Sequence, residues 1–527
     1  MPDIPLHEQP EIHARRWFLL GVMCLSLVMV VMAVSGLNVA IPSIQRDLDA
    51  TATDLQWIVD AYSIVFAGLL LSAGAIGDRF GRKLALMCGL GVYAAGSLLG
   101  VVAGSPNAVI VSRAISGIGA AFIMPATLSL ITVIFPPHER GKAIAVWAGF
   151  AGAGGALGPL LVGFLLTGWW VFPAFWWGSA FVVNTVTPLL VLVAVAVFAP
   201  RSRDDASTPL DPVGATLSLL GIATLLYGII EGPARGWGDT TVVLGFVFGV
   251  GLLAGFVWWE RRAEHPMLPL AYFRQRPFTT GTGIITFGFL VMFGFFFLIT
   301  QYFQFVRGYS PLRAAIAVLP FAITMITVSP RSAGFVERAG LNQVVATGFA
   351  SMATGFAVLG FVTPDTPYLV IAGAIVLLAA GMAVTIAPAT GAIMSSVPLN
   401  KAGVGSAVND TTREFGGALG IAILGSIVAA HFRSAFDTTG LPADVAAVAD
   451  ESVGAAVSVG ARIGGPEGGA LIERAGVAFT EAINVAFLTA SVVAVLTGIV
   501  VYIAGRGLGR PRLVVRDDAH EPSGRRS

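Results

Sequence analysis

Apolar and polar residues come in long alternating blocks along this 527-residue chain. The apolar blocks match the roughly 20 residues a helix needs to cross a bilayer. Fourteen are readable, near 18–42, 56–77, 84–104, 107–132, 143–167, 178–199, 213–231, 241–260, 279–306, 314–330, 341–362, 368–394, 402–430 and 482–505. The tenth is the least clean, and only Gly104-Ser105-Pro106-Asn107 parts the third from the fourth. The pattern predicts an all-α polytopic membrane protein.

Polar interruptions divide the array. Residues 1–16 form a polar N-terminal segment and 17–200 a six-helix bundle. Residues 201–262 hold a linker and a two-helix insert, with Arg201, Arg203, Asp204 and Asp205 marking the break. Helices nine to thirteen of a second bundle fill 263–430; 431–480 reads as a short amphipathic helical hairpin, with disorder the alternative; helix fourteen is 481–505 and the tail 506–527.

Lys and Arg set the orientation. With the N-terminus inside, the inner segments hold 22 and the outer loops seven: Arg46, Arg235, Arg307, Arg313, Arg433, Arg462 and Arg474. Both termini are therefore expected in the cytoplasm, which requires an even number of spans. Trp17, Trp57, Trp169, Trp170, Trp176, Trp177, Trp237, Trp258 and Trp259 fall at predicted helix ends, as an interfacial belt would. Composition agrees: 12% of residues are charged, against about 25% in soluble domains. A net charge of +1 predicts no nucleic-acid partner. The polar first 16 residues and the long run after them predict no cleavable signal. Cys24 and Cys88 both lie in apolar runs, and neither a disulfide nor a metal cluster is expected.

The most concentrated chemistry is Gly74–Lys83, GAIGDRFGRK, in the gap between the second and third runs. Gly74, Gly77 and Gly81 surround Asp78, Arg79, Arg82 and Lys83, so the backbone can turn sharply and the bases hold it inside. A solvated basic turn that only sets topology is the plain alternative. The fourth run carries Arg113-Ala-Ile-Ser-Gly117-Ile-Gly119-Ala-Ala121, and an arginine within a membrane helix is costly and usually functional. The fifth carries Gly154-x-x-x-Gly158-Pro159-x-x-Val162-Gly163, a smooth glycine face beside a helix-bending proline.

These stretches resemble, in order, the loop between helices two and three, the fourth-helix motif and the antiporter motif of the major facilitator superfamily. Ser116 stands where the fourth-helix motif usually has glutamine, and Val162 where the antiporter motif has glycine. Phe175–Asn184, Gln301–Leu312 and Ala402–Gly417 are similar to segments of the fourteen-helix drug:proton antiporters of QacA/EmrB type. The resemblance implies two six-helix bundles plus the insert, alternating access about a midplane cavity, and export of a small lipophilic compound in exchange for protons. Pro330–Arg338 looks like a decayed second copy of the opening loop. One departure stands out: Asn38-Val-Ala-Ile-Pro42 is intact, but the family's preceding aspartate is Ala33, and helix one has no acid.

The acids that remain are Asp60 in the second run and Asp410 and Glu414 in the thirteenth, beside Arg413. Asp60 and Arg113 have compatible depths for a buried pair, in which burial and a neighbouring guanidinium compete over protonation; the alternative is that Asp60 sits in the headgroup layer and only caps its helix. Asp410 and Glu414 share a helix face at i, i+4. Asp410 paired with Arg413 leaves Glu414 to titrate near the midplane, or the triplet is self-neutralised and structural. Phe293 and Phe297 are cavity candidates for cation–π contact with a flat cation; Asn38 is a further cavity candidate, and Gln301 and Gln304 are the better pore candidates because an amide in a membrane helix needs a partner. There is no phosphate-binding glycine loop and no nucleophile–base constellation, so neither a cofactor nor an enzymatic activity is expected. The expectation is a monomeric, multi-pass protein of the cell membrane that exports lipophilic, cationic drugs or dyes. Export of an endogenous metabolite or lipid, or a transport-dead sensor or scaffold, are the rivals.

Overall fold

The computed structural model describes residues 6–50, 52–167, 176–202 and 209–504. Trp169, Trp170, Phe175, Arg203, Asp204, Asp205, the side chain of Asn38 and the tail 506–527 lie outside the described residues. Among the described residues every regular element is helical. In chain order they are α1 (Pro10–Ser35), α2 (Leu37–Leu48), α3 (Ala52–Phe80), α4 (Arg82–Val101), α5 (Pro106–Ile134), α6 (Pro137–Thr167), α7 (Ser179–Phe198), α8 (Pro212–Arg235) and α9 (Thr240–Glu260). They continue with α10 (Arg276–Gln301), α11 (Pro311–Val328), α12 (Ser332–Ala339), α13 (Leu341–Leu359), α14 (Tyr368–Ser395), α15 (Ala402–Ala435), α16 (Ala443–Ala449), α17 (Val453–Ile463) and α18 (Gly465–Ala504).

Thirteen of the described helices are long and apolar enough to cross a membrane. The 19-residue α13, opened by the polar Asn342 and Gln343, is the remaining long helix and packs between α14 and α18. Several helices begin where short side chains can cap them. Ser105, Asp211, Asp239 and Ser310 each accept from an amide in the first turn, and Pro106, Pro212 and Pro311 follow as residues that need no partner for a missing N–H.

Two boundaries differ from the hydrophobic pattern. The first run is broken at Gly36, where α1 ends and α2 begins; the reason lies in the close approach of α6 described below. Helix fourteen starts not near Glu481 but at Gly465, as α18. Leu471, Ala475, Ala478, Phe479 and Ala482 form a buried stripe at helical spacing on its early turns, so packing on α17 extends the helix beyond the apolar run. At that end of the molecule Asp437 accepts from the amide and hydroxyl of Thr439, which hold its carboxyl below the ordinary value.

Two cores organise the packing. One gathers α1, α3, α4, α5, α6 and α7; the other gathers α10, α11, α13, α14, α15 and α18. The α8–α9 pair closes on itself through Gly228 against Gly245 and Gly249 against Leu225, and leans on α3 through Gly68 against Leu219. The halves meet along α3–α15 and α6–α11.

Candidate functional site

Asp78, near the end of α3, is 2% exposed and reaches across to the other half. Its Oδ1 accepts from Gly403 N at 2.9 Å and its Oδ2 from Val404 N at 3.1 Å, so it caps the N-terminus of α15. A carboxylate there completes unpaired amides and meets the positive end of the helix dipole. Arg82 donates twice to Asp78 Oδ1, at 3.0 and 2.9 Å, and also to Leu399 O at 2.5 Å and Ser202 Oγ at 3.0 Å. Gly81, with φ of 114°, makes the turn that returns Arg82 to Asp78. Gly74 and Gly403 let the two backbones touch: a Cβ on either would stand 2.5 Å from the other's carbonyl oxygen. Lys83 donates to Ala196 O and Ala199 O at the end of α7, while Arg79 lies over Phe80. Gly77 has room for a Cβ at ordinary contact distance from Ala85. A cavity of about 310 Å³ beside this joint is lined by Asp78, Arg79, Asp211, Met267 and Lys401.

The second loop makes the reciprocal crossing. Ser329 donates from Oγ to Ala145 O of α6 at 2.6 Å. Each half thus grips the opposite half through the loop after its corresponding helix.

The antiporter-motif residues lie on α6 between both halves. A Cβ on Gly154 would meet Val31 at 2.9 Å, and one on Gly158 would meet Gly36 N at 2.8 Å and Met32 O at 2.8 Å. Gly36 breaks α1 at the point of this contact. Gly163 faces Leu312 at 3.4 Å on the other side, and Pro159 lies within the helix.

Arg113 is 3% exposed and holds backbone rather than a carboxylate. Its Nε donates to Ile58 O at 3.0 Å and Nη1 to Ala33 O at 3.3 Å, and its guanidinium lies 4.3 Å from the Tyr62 ring centroid. The expected Asp60–Arg113 pair is therefore not made. The guanidinium turns to the carbonyls of α1 and α3, and Glu231 of α8 is a charged neighbour of Asp60. Glu231 is 2% exposed and bound to Arg235 at 2.5 Å. Sequence reasoning missed Glu231, although a Glu–Arg pair at i, i+4 closing an apolar run was a readable signal.

In α15, Asp410 and Arg413 meet at 3.5 Å, with Asn409 Nδ2 on Asp410 Oδ1 at 3.1 Å and Thr390 on Asn409 at 3.0 Å. Arg413 is flanked by two aromatic rings, Phe289 of α10 at 4.6 Å and Trp147 of α6 at 5.7 Å from the centroids. Trp147 is fixed by its Nε1 donating to Thr127 Oγ1 at 3.2 Å. Glu414, one residue on, is half-buried and faces Tyr62 of the other half. The aromatic partners of Arg413 were not legible, because they come from α6 and α10.

The helix-ten candidates separate. Phe293 packs on Gly417 of α15 and tilts against Phe289 at 5.9 Å. Phe297 is 41% exposed, with its ring 3.3 Å from where a Cβ on Gly425 of α15 would stand. Gln301 satisfies its amide within its own helix, donating to Phe297 O at 3.2 Å, and Gln304 is half-buried in a π turn, Tyr302–Val306.

Two helical bundles, charged groups buried between them and reciprocal loops at one end define a multi-pass membrane transporter. The family model of the Major Facilitator Superfamily matches residues 23–421, and the chain belongs to that superfamily. Relatives include the multidrug efflux pump LfrA of Mycolicibacterium smegmatis, 33% identical over 88% of this chain and 91% of that protein. The methyl viologen resistance protein SmvA of Salmonella typhimurium is 31% identical over 88% of this chain and 93% of its own. The tetracenomycin C resistance and export protein of Streptomyces glaucescens is 31% identical over 88% and 86%. The fold is similar to that of the human organic anion transporter MFSD10, at a TM-score of 0.58 and 15% identity, covering 94% of this chain and 100% of that one.

Proposed function

We propose that this protein is a proton-coupled antiporter of the cell membrane that exports lipophilic, cationic drugs or dyes by alternating access, with both termini in the cytoplasm. The observation that carries this reading is the buried Asp410–Arg413 pair of α15 with Glu414 beside it and facing the opposite bundle. Asp410 neutralises Arg413, which leaves the Glu414 carboxylate without a bonded partner at the seam between halves. A carboxylate there takes either a proton or a cation, and a group that holds one at a time couples their movements. Phe289, Trp147 and Phe293 give the same region aromatic faces for a flat cation. The Asp78–α15 joint is the cytoplasmic latch, made when the cavity faces outward and broken when it opens inward. The names of LfrA and SmvA, a multidrug pump and a methyl viologen resistance protein, support cargo of this class.

Ethidium flux into inverted vesicles tests the proposal, with a proton gradient imposed and then collapsed. Uptake that follows the gradient in wild type and is lost in Glu414→Gln is expected. Correctly inserted wild type without gradient-dependent uptake of any lipophilic cation would overturn it. A second reading, export of a neutral or anionic metabolite, is favoured by Arg113, whose buried Nη2 has no hydrogen-bond partner, and by the lack of an acid in the apolar run 18–42.

A further inference from the structure

At the Asp78 end of the molecule, the hairpin of α8 and α9 brings two acids to one point. Asp211 caps α8, its Oδ1 accepting from Gly214 N at 2.8 Å, and Trp259 Nε1 of α9 stands 2.9 Å from both of its oxygens. Glu260, the last residue of α9, is 4% exposed. Its Oε2 accepts from Leu268 N at 3.2 Å, which ties down the linker to the second bundle. Its Oε1 is buried with no hydrogen-bond partner. A Cβ on Gly214 would lie 2.4 Å from Asp211 Oδ2 and 2.9 Å from Glu260 Oε1. The two oxygens therefore converge beside a residue with no side chain to part them. Two ionised carboxylates so placed repel, and the buried oxygen lacks a donor. One proton between them removes a charge and supplies that donor. A divalent cation fits less well, because it takes about six oxygen ligands, whereas Oε1 is enclosed and Asp211 already receives an indole and an amide. The surrounding charges are placed otherwise. On α3, Asp78 is bound to Arg82, and Arg79 lies over Phe80. After the pair, Arg262 lies over Trp258, and Arg261, Glu264 and His265 are exposed. Lys401, just before α15, lines the same cavity as Asp211; Arg203, Asp204 and Asp205 lie outside the described residues.

We infer that Asp211 and Glu260 form a proton-binding site that holds one exchangeable proton between the two carboxylates and, when filled, clasps the inserted helix pair to the linker of the second bundle. When the proton leaves to water, the carboxylates repel, Glu260 lets go of Leu268, and Met267, 7% exposed in the clasped state, loses its cover. The clasp is therefore held at low pH and lost as pH rises. Met267 and Asp211 line the cavity of about 310 Å³ that also reaches Asp78 and Val404. The filled site thus supports the joint between Asp78 and α15 from the side of the insert. The inference does not depend on the proposed cargo.

The test uses the full chain in lipid nanodiscs without cargo, carrying Cys24→Ala, Cys88→Ala and the reporter Met267→Cys. Maleimide labelling is followed as pH is raised, and compared with the same protein carrying Glu260→Gln, whose amide donates to Asp211 at every pH. With Glu260 intact, labelling should climb more steeply than in the Glu260→Gln protein, by up to about tenfold per pH unit. The Glu260→Gln reporter should stay protected. Asp211→Asn, which keeps the helix cap, should flatten the profile in the same way. Gly214→Ala, which puts a methyl between the two oxygens, should leave the reporter labelled at every pH. Equal pH profiles with and without Glu260→Gln overturn the inference. A Glu260→Gln reporter that labels fully at low pH also overturns it, since the carboxylate then holds the linker without a shared proton.

Discussion

The Asp78 carboxylate receives the Gly403 amide at 2.9 Å across the seam between the two halves. A residue from the end of α3 therefore completes the first turn of α15, the helix that carries Asp410, Arg413 and Glu414. Movement of the halves at this end cannot occur without exposing those amides, so the joint links opening at this end to the charged centre on the same helix.

Replacing Asp78 by Asn removes the charge that both Arg82 and the helix terminus require. Charge-assisted bonds of this kind contribute about 1.5–3 kcal/mol each, and stranding a buried Arg82 costs about 3–5 kcal/mol. Transport should fall at least tenfold while the protein still inserts. Vesicle flux and membrane-fraction immunoblots check this; retained export by Asp78→Asn would refute the latch.

Gly74→Ala and Gly403→Ala each place a methyl 2.5 Å from a backbone oxygen of the other half. Neither backbone can yield locally, so α3 and α15 must separate. The expected result is a cytoplasmic end that stays open, seen as raised thiol labelling of a cysteine placed at Leu399 in inverted vesicles. Labelling equal to the unsubstituted glycine background would refute the close-packing role.

Gly158→Ala brings a methyl against Gly36 N and Met32 O. Overpacking of this kind costs about 1–3 kcal/mol. The prediction is a lower melting temperature in detergent together with lost flux, whereas Gly155→Ala, whose nearest neighbour stands 3.8 Å away, should change neither.

Arg413→Lys retains the charge beside Asp410 but loses the planar face between Phe289 and Trp147. A stacked guanidinium and a flexible ammonium are not equivalent. Binding of ethidium should weaken about tenfold with membrane expression unchanged, measured by fluorescence titration of purified protein.

Ser329→Ala removes one hydroxyl bond to Ala145 O, worth about 1 kcal/mol. This second-loop contact should matter much less than Asp78, with flux reduced about two- to fivefold. A loss as deep as that of Asp78→Asn would mean the two loops share the latching equally.

The sequence by itself determined the helical class, most spans and the loop, fourth-helix and antiporter motifs, because hydropathy over 20 residues and short glycine–charge patterns are local properties. It also showed that the first apolar run, 18–42, carries no acid. The partners of those residues were decided only by the tertiary structure. Arg113 bonds to the backbone of α1 and α3 instead of to Asp60, and the inserted α8, packed on α3, brings Glu231, 171 positions away in sequence, into the electrostatic neighbourhood of Asp60. Arg413 lies between rings from α6 and α10, and Phe297 is exposed although Phe293, one turn before it, packs on Gly417. Rotation of a helix about its axis places these side chains, and neighbouring helices set that rotation. In a largely apolar helix such as α10, hydrophobicity gives little preference for a face from which to read it.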